Sequence, residues 1–364
     1  MKPPDREAGN VSTELHEQHQ RNEKQVHQKP HASASPEPRT RRLGRDGPAL
    51  TRFGLGMAAL GRPGYITLGH EADLPEGRSV EAMEAHAHRV LDQAFAAGIR
   101  YFDAARSYGR AEQFLRGWID SRGIRPAEIV IGSKWGYRYT GDWQVDGRVQ
   151  EVKDHSDAML DGQVAESTSL LGPYLRLYQI HSAAPETHVL ENRQVLERLR
   201  RLQQNGLYLG VTATGTRQPE TIRRAIELRF DGVQLFSAVQ ATWNLLEVSA
   251  GPALREAHEA GLTVLVKEPL GNGRLTVKGK EGRAGPLRTV ADGLRASPDA
   301  VALAFVAREP WADVVLLGAT TGAQLDSNLR ALDLRLSAED LEMLDELGEP
   351  AEEYWARRSQ LAWN

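Results

Sequence analysis

Short apolar runs alternate with amphipathic helical patterns from about residue 50 to residue 331. In the stretch 79–97, Met83, Ala87, Val90 and Leu91 recur at the spacing of one helix face, Ser79 provides an N-cap, and a glycine follows. The apolar runs show no alternation of apolar and polar residues. Strands of that kind are typical of a parallel sheet that is buried on both faces.

Counted along the chain, the pattern predicts eight strand–helix units. The predicted strands are Phe53–Met57, Ile99–Phe102, Ile129–Lys134, Leu175–Ile180, Leu207–Val211, Ala238–Thr242, Leu262–Val266 and Val314–Leu317. The predicted helices are Ser79–Ala97, Ala111–Ser121, Asp157–Leu171, Glu186–Gln204, Gln218–Leu228, Gly251–Ala260, Pro298–Arg308 and Gly322–Ala331. Eight such units favour a (β/α)₈ TIM barrel over an open doubly wound sheet.

Three further segments complete the predicted architecture. The turn signal Asp46-Gly47 lies between two short extended pieces and predicts a β-hairpin before the first barrel strand. Two long loops, 136–156 and 271–297, are expected to line or cover an active site.

The composition divides the chain into two parts. Residues 1–38 are polar and nearly free of large apolar residues, so we predict a disordered polar tail there and the barrel over 39–364. We interpret the four histidines of that tail as solvated, because nothing fixes their geometry for a metal.

Charge and cysteine content narrow the class of protein. The net charge of −4 gives no indication of a nucleic-acid partner, and no apolar run reaches the roughly 18 residues of a membrane helix. The absence of cysteine excludes thiolate chemistry and fits a reducing compartment. With no apolar stretch behind the N-terminus to act as a signal peptide, we predict a cytoplasmic protein with no membrane partner; the sequence predicts no oligomeric state.

Polar residues at the ends of three consecutive predicted strands form the candidate site. Asp103 follows the second strand, Tyr108 lies in the loop behind it, Lys134 ends the third strand and His181 follows the fourth. The carboxyl ends of barrel strands meet at one mouth, so these side chains are expected to converge. There Asp103 would keep Lys134 charged, and the ammonium would lower the pKa of the Tyr108 phenol. His181 would donate to a carbonyl oxygen or share the proton with Tyr108.

Several segments resemble the aldo-keto reductase family. Tyr101-Phe-Asp-Ala-Ala-Arg-Ser-Tyr-Gly-Arg-Ala-Glu112 is similar to its signature, and the hairpin Arg42-Leu-Gly-Arg-Asp-Gly with Phe53-Gly-Leu-Gly56 is similar to its N-terminal opening. Ile131-Gly-Ser-Lys134 resembles its lysine segment and Tyr178-Gln-Ile-His181 its histidine segment. The resemblance spans about residues 40–364. Some runs, such as Lys267-Glu-Pro-Leu-Gly-Asn-Gly-Arg-Leu275, resemble branches that act on sugars and other polyols.

The resemblance implies a metal-free oxidoreductase that interconverts aldehydes, ketones or aldoses with alcohols or lactones. It assigns Tyr108 as general acid–base, Asp103 and Lys134 as the pair that tunes it, and His181 as the group that orients the carbonyl. It also implies an extended nicotinamide cofactor, held by residues carried over from the family's segments: Met57, Thr212, Gln240, Pro269, Leu270, Gly271, Arg274, Gly318, Gln324 and Asn328. Trp135, next to Lys134, is the candidate wall of the substrate pocket.

This sequence departs from the family pattern at the cofactor positions. Lys267 stands where many members stack an aromatic residue on nicotinamide, and Thr212-Ala213 replaces a Ser-Asn pair. Thr320 and Gln324 replace the basic residues that often grip the 2′-phosphate, although Arg274 and Lys278 are substitutes. The loss of these basic residues weakens the case for NADP(H), because fewer cations remain to neutralise the extra phosphate. With the two substitutes, NADP(H) is favoured and NAD(H) is the alternative.

Two other functions stay open at this point. One is a regulatory or sensor barrel that binds the cofactor with little turnover, because the family includes such proteins and a fold does not fix a function. The other is an isomerase or aldolase in which Lys134 or Lys267 forms a Schiff base. The lack of a Gly-rich phosphate loop after strands seven and eight counts against that reading.

Overall fold

The computed structural model describes Met1, residues 41–145 and residues 149–364. The predicted tail over 1–38, with its histidines, lies outside the described residues apart from Met1, so the predicted domain division stays a prediction. Among the described helices, none is long and apolar enough to traverse a bilayer.

The centre of the fold is a closed barrel of eight parallel strands, which confirms the predicted class. Its strands are β1 Phe53–Gly56, β2 Tyr101–Asp103, β3 Val130–Trp135, β4 Leu175–Ala183, β5 Tyr208–Ala213, β6 Ala238–Thr242, β7 Thr263–Lys267 and β8 Val314–Leu317. Each strand pairs in parallel with its neighbours in the chain, and β8 pairs with β1 to close the ring. All eight predicted strands are present, with ends that differ from prediction by at most three residues.

Helices surround the barrel and alternate with its strands. They are α1 Val80–Ala96, α2 Ala111–Arg122, α3 Asp157–Leu171, α4 Arg193–Gln204, α5 Gln218–Glu227, α6 Gly251–Glu259, α7 Lys280–Arg283, α8 Pro286–Gly293, α9 Pro298–Ala307, α10 Gly322–Leu329, α11 Ala338–Asp345 and α12 Ala351–Ser359. The apolar face of each barrel helix packs on the strands, as in α1, where Met83, Ala87 and Leu91 are buried.

One predicted helix starts at the wrong residue. The prediction began it at Glu186, but the structure has a short 3₁₀ turn, Pro185–Thr187, and α4 begins only at Arg193. His188 has a positive φ of 50°, which interrupts the helical path. Asn192 then caps α4, because its side chain accepts hydrogen bonds from the backbone N–H groups of Gln194 and Val195.

The predicted hairpin closes the amino-terminal end of the barrel. Arg41–Arg42 pairs antiparallel with Ala49–Leu50, and the Gly44 N–H donates to Thr263 Oγ1 at 2.7 Å. Leu43 and Leu50 are buried against side chains inside the barrel, namely Tyr101, Val130, Leu177, Ala238, Leu265, Val314 and Leu316. This apolar plug leaves the carboxyl end of the barrel as the open end.

Both segments predicted as long loops contain secondary structure. The first holds an antiparallel pair, Tyr137–Tyr139 with Glu151–Lys153, and the second holds the 3₁₀ turn Gly271–Gly273 followed by α7 and α8. A further small pair joins Arg229–Phe230 to Val233–Gln234, and other 3₁₀ turns cover His70–Asp73, Gly172–Tyr174 and Arg330–Leu332. The two long segments lie at the open end of the barrel, where Tyr137 and Lys278 both line a cavity.

Candidate active site

The strand ends bring the four predicted chemical residues together. Asp103 ends β2, Lys134 lies in β3 and His181 lies in β4, so parallel pairing sets them side by side. Tyr108 comes from the turn between β2 and α2, and its N–H donates to Ala105 O at 3.0 Å. Gly109 completes this turn with a φ of 58°, and an added Cβ there would lie 2.5 Å from Gly61 O. The close approach of two backbone segments therefore requires a glycine next to Tyr108.

Asp103 and Lys134 form a buried ion pair. Asp103 is 3% exposed and Lys134 is 1% exposed. The Lys134 ammonium donates to Asp103 Oδ2, and also to Ala104 O at 2.9 Å. The other carboxylate oxygen, Oδ1, accepts from Tyr101 OH at 3.1 Å, from Gln240 Nε2 at 3.1 Å and from Gln179 Nε2 at 3.3 Å. A buried pair that has all these partners is held in one geometry.

The phenol of Tyr108 lies between a cation and an imidazole. Lys134 Nζ is 3.4 Å from Tyr108 OH, and His181 Nε2 is 3.5 Å from the same oxygen. On the other side of the imidazole, Nδ1 lies 3.4 Å from Ser107 Oγ, and the Tyr137 ring packs edge-on against it. The structure thus brings all four predicted residues into one connected group.

Burial sets the protonation states of Tyr108 and His181. It raises the pKa of the Tyr108 phenol well above its ordinary value; the Asp103 charge raises it further, and the Arg62 guanidinium opposes that shift. The net pKa shift of Tyr108 is upward, because a phenolate in this site lacks water and a carboxylate lies close by. The expected lowering of the pKa by the Lys134 ammonium stays a prediction. Burial also holds the pKa of His181 well below its usual value, and Lys134 and Lys267 add to that effect. At neutral pH the phenol keeps its proton and the imidazole is uncharged.

These groups open onto a cavity of about 640 Å³ at the carboxyl end of the barrel, a size typical of ligand pockets. Nine of the predicted residues line it: Asp103, Tyr108, His181, Gln240, Pro269, Leu270, Gly318, Gln324 and Asn328. Lys134 lies beneath the cavity and reaches it through its contact with Tyr108.

The structure does not place four of the predicted cofactor residues, Met57, Thr212, Gly271 and Arg274, in the cavity lining. Met57 and Thr212 are fully buried, and Thr212 Oγ1 accepts from the Ser182 N–H at 2.6 Å. Arg274 pairs with Glu281 and Glu349, so its charge is already matched. Lys278, the other predicted substitute, does line the cavity and pairs with Asp73 at 2.7 Å.

Trp135, predicted as a wall of the substrate pocket, does not line the cavity. Side chains of successive strand residues point to opposite faces, so the inward direction of Lys134 sends Trp135 outward. Its side chain is 0% exposed, packs edge-on against His155, and is not part of the cavity wall. Tyr137, two residues further on, lines the cavity.

Four residues that line the cavity around Tyr108 and His181 were not predicted as site residues: Arg62, Tyr65, Tyr137 and Glu151. The Arg62 guanidinium lies 5.1 Å from the centre of the Tyr108 ring and donates to Glu151 Oε2 at 3.0 Å. Arg62 and Tyr65 come from the segment between β1 and α1, and the other two from the short antiparallel pair between β3 and α3. In neither segment does a periodic pattern in the sequence indicate the direction of the side chains. Trp363 also lines the cavity.

The remote half of the cavity has unmatched polar groups that suit a ligand. Within the described residues, Asn272 Oδ1 and Asn328 Oδ1 are buried without a hydrogen-bond partner. Asn328 Nδ2 is fixed by Asp299 at 2.8 Å, which leaves its carbonyl oxygen free to accept. An added Cβ at Gly318 would meet no atom within 4 Å, so its backbone borders open space. These features fit a polar, extended group such as a dinucleotide.

Comparison with known proteins agrees with this picture. The model of the aldo/keto reductase family matches residues 75–349. The chain is 28% identical over 317 residues to Protein tas of Escherichia coli, covering 71% of this chain and 88% of that protein. It is 25% identical over 346 residues to aldo-keto reductase str7 of Strobilurus tenacellus, covering 86% and 93%. The holo form of aldo-keto reductase AKR11C1 from Bacillus halodurans has the same fold, with a TM-score of 0.64, 22% identity, and coverage of 85% and 96%.

A closed parallel barrel with a polar cavity at the carboxyl ends of its strands is the architecture of a (β/α)₈ enzyme. The family match makes the class specific. The chain belongs to the aldo/keto reductase family, whose members are oxidoreductases that act on carbonyl compounds with nicotinamide cofactors. The resemblance expected from its sequence segments is thereby confirmed.

Proposed function

We propose that this protein reduces carbonyl groups and oxidises alcohols with a nicotinamide cofactor, and that Tyr108 is its general acid–base. One observation carries the proposal: the Tyr108 hydroxyl opens onto the cavity between Lys134 Nζ and His181 Nε2. Neutral tyrosine in such a position can give a proton to a carbonyl oxygen, and the adjacent ammonium stabilises the anion that remains.

In the reduction direction, a nicotinamide cofactor held in the cavity would supply the hydride that the carbonyl carbon accepts. Tyr108 gives its phenolic proton to the oxygen of that carbonyl as it becomes a hydroxyl. Lys134 and the Arg62 guanidinium then offset the charge on the phenolate. Asp103 binds the Lys134 ammonium and so keeps it next to the Tyr108 hydroxyl. His181, uncharged because of its burial, fixes the position of the substrate oxygen from the side opposite Lys134.

The cofactor is proposed to lie along the remaining half of the cavity. Gln240 would hold the nicotinamide end, the segment with Pro269 and Leu270 the centre, and Gln324 with Asn328 the adenine end. We favour NADP(H) because Lys278 lines the cavity and offers an ammonium to a 2′-phosphate. Asp73, which pairs with Lys278, is the group that opposes this choice and would suit the free hydroxyl of NAD(H).

The test follows the absorbance of reduced nicotinamide with purified protein. NADPH and NADH are crossed with a panel of aldehydes and ketones, and NADP and NAD with a panel of aldoses and alcohols. We expect carbonyl-dependent oxidation of NADPH, faster than that of NADH at equal concentration. Tight binding of either cofactor without turnover of any panel member would contradict the proposal and favour the regulatory barrel.

A further inference from the structure

One cation of the cavity lining, Lys267, forms no ion pair within the part of the chain that the structure describes. Four lysine and arginine residues line it, and three of them form ion pairs: Arg62 with Glu151, Lys278 with Asp73, and Arg358 with Glu268. The fourth, Lys267, forms no ion pair with any of the described residues. A cation inside a cavity without an anion is costly unless a ligand provides one.

The hydrogen bonding of Lys267 is also incomplete. Its ammonium donates to Thr242 Oγ1 at 2.9 Å, and that hydroxyl in turn donates to Glu268 Oε2 at 3.2 Å. An ammonium has three N–H donors, so two remain for a ligand once Thr242 is bound. Arg358 binds the Glu268 carboxylate with two nitrogens, so this one negative charge is shared between two cations and offsets the charge of Lys267 only in part.

Lys267 is placed to act on the molecule that meets Tyr108. It ends β7, directly beside Thr242 of β6 in the strand register. Lys267, Tyr108 and His181 all line the same cavity, and the charge of Lys267 contributes to the lowered pKa of the His181 imidazole. Burial lowers the pKa of Lys267 to about 8, so most of the amine is charged at neutral pH.

The next residue shows that the backbone here is constrained. Glu268 has a positive φ of 53° and precedes a proline, a combination that residues other than glycine rarely adopt. Asn244 Nδ2 donates to Glu268 O at 2.9 Å, and the Arg358 pair fixes the Glu268 side chain. Glu268, the residue next to Lys267, is therefore held in one conformation.

We propose that the substrate carries a carboxylate that binds Lys267 while its carbonyl group meets Tyr108 and His181. The substrate class is then an oxo acid, and Lys267 is the residue that selects it. A carboxylate is favoured over a phosphate because one unpaired ammonium balances a single negative charge. This inference rests on the proposed function and specifies its substrate.

The test compares succinic semialdehyde with butanal, two four-carbon aldehydes that differ at the far end by a carboxylate. For the wild-type protein we expect kcat/KM to be about 10- to 100-fold higher with succinic semialdehyde, the range of one charge-assisted hydrogen bond. Lys267→Met should abolish this preference, so that the ratio of kcat/KM for succinic semialdehyde to that for butanal, both measured in the same variant, falls to about one. Lys267→Arg should keep most of the preference.

A matched control and a binding measurement make the outcomes distinct. Lys280→Met makes the same chemical change on the exposed surface of α7 and should leave the preference intact. Cofactor titration by fluorescence should give the same Kd for the wild-type protein and Lys267→Met. An equal loss for both aldehydes together with a weaker cofactor Kd would overturn the inference, since Lys267 would then hold the cofactor. Turnover of butanal without any preference for the acid would also overturn it, whereas no turnover of any carbonyl would contradict the proposed function instead.

Discussion

The Asp103→Asn substitution tests how the buried pair beneath Tyr108 is maintained. It changes neither size nor shape, but it removes the negative charge next to Lys134, which is 1% exposed. It also places an amide N–H₂ among groups that all donate hydrogen bonds: Lys134, Tyr101, Gln179 and Gln240. The ammonium is then left buried without a counter-charge.

The expected loss of stability in Asp103→Asn follows from the burial of this ion pair. Breaking a buried ion pair from one side destabilises a protein by about 3–5 kcal/mol, because the remaining charge stays desolvated. Removing both charges is often nearly neutral. We therefore expect Asp103→Asn to lower the free energy of unfolding by about 3–5 kcal/mol, and the double variant Asp103→Asn/Lys134→Met to recover more than about 2 kcal/mol of that loss.

The assay is urea unfolding of the wild type, both single variants and the double variant, followed by circular dichroism. The denaturant slope should be the same for all four proteins, so that differences in midpoint report stability. Neither single variant nor the double variant should show wild-type turnover. Additive losses, with the double variant the least stable of the four, would refute the argument that the pair is coupled and retained for the site.

Two further predictions concern residues around Tyr108. Gly109→Ala should lower kcat and destabilise the fold by roughly 1–2 kcal/mol, because φ is 58° and the new Cβ meets Gly61 O. The control Gly162→Ala, where an added Cβ in α3 meets open space, should change neither kcat nor stability. Equal effects of the two substitutions in thermal unfolding and in kinetics would contradict this prediction. The kcat/KM preference for succinic semialdehyde over butanal should fall as the pH rises through about 8, where Lys267 loses its proton, and should stay constant in Lys267→Arg. A wild-type preference that is flat from neutral pH to well above 8 would show that this charge is not involved.

The barrel was predictable because its signals are local. Apolar runs such as Val314–Leu317 are short and bounded by helical patterns, and caps such as Ser79 and Gly98 mark where α1 begins and ends. The start of α4 was not predictable in the same way. The stretch after Glu186 has helical composition, but the left-handed backbone at His188 and the cap at Asn192 depend on the exact path into the helix.

Within the site, strand-end residues were predictable and residues contributed by other segments were not. The order of the strands alone brings Asp103, Lys134 and His181 together. The contact of Arg62 with the Tyr108 ring depends on how the segment after β1 folds back, and that path leaves no periodic trace in the sequence. The direction of the Tyr108 pKa shift depends on burial, which spacing does not reveal.

The proton-donor role of Tyr108 is tested most directly by Tyr108→Phe, measured for turnover and for cofactor affinity in the same preparation. Loss of a general acid lowers rates by about 100- to 10,000-fold, so kcat for carbonyl reduction should fall within that range while the Kd for NADPH stays the same. The half-buried ring keeps its packing, so the thermal midpoint should change little. Turnover by Tyr108→Phe at close to the wild-type rate, with cofactor bound as before, would contradict the assignment of Tyr108 as the proton donor.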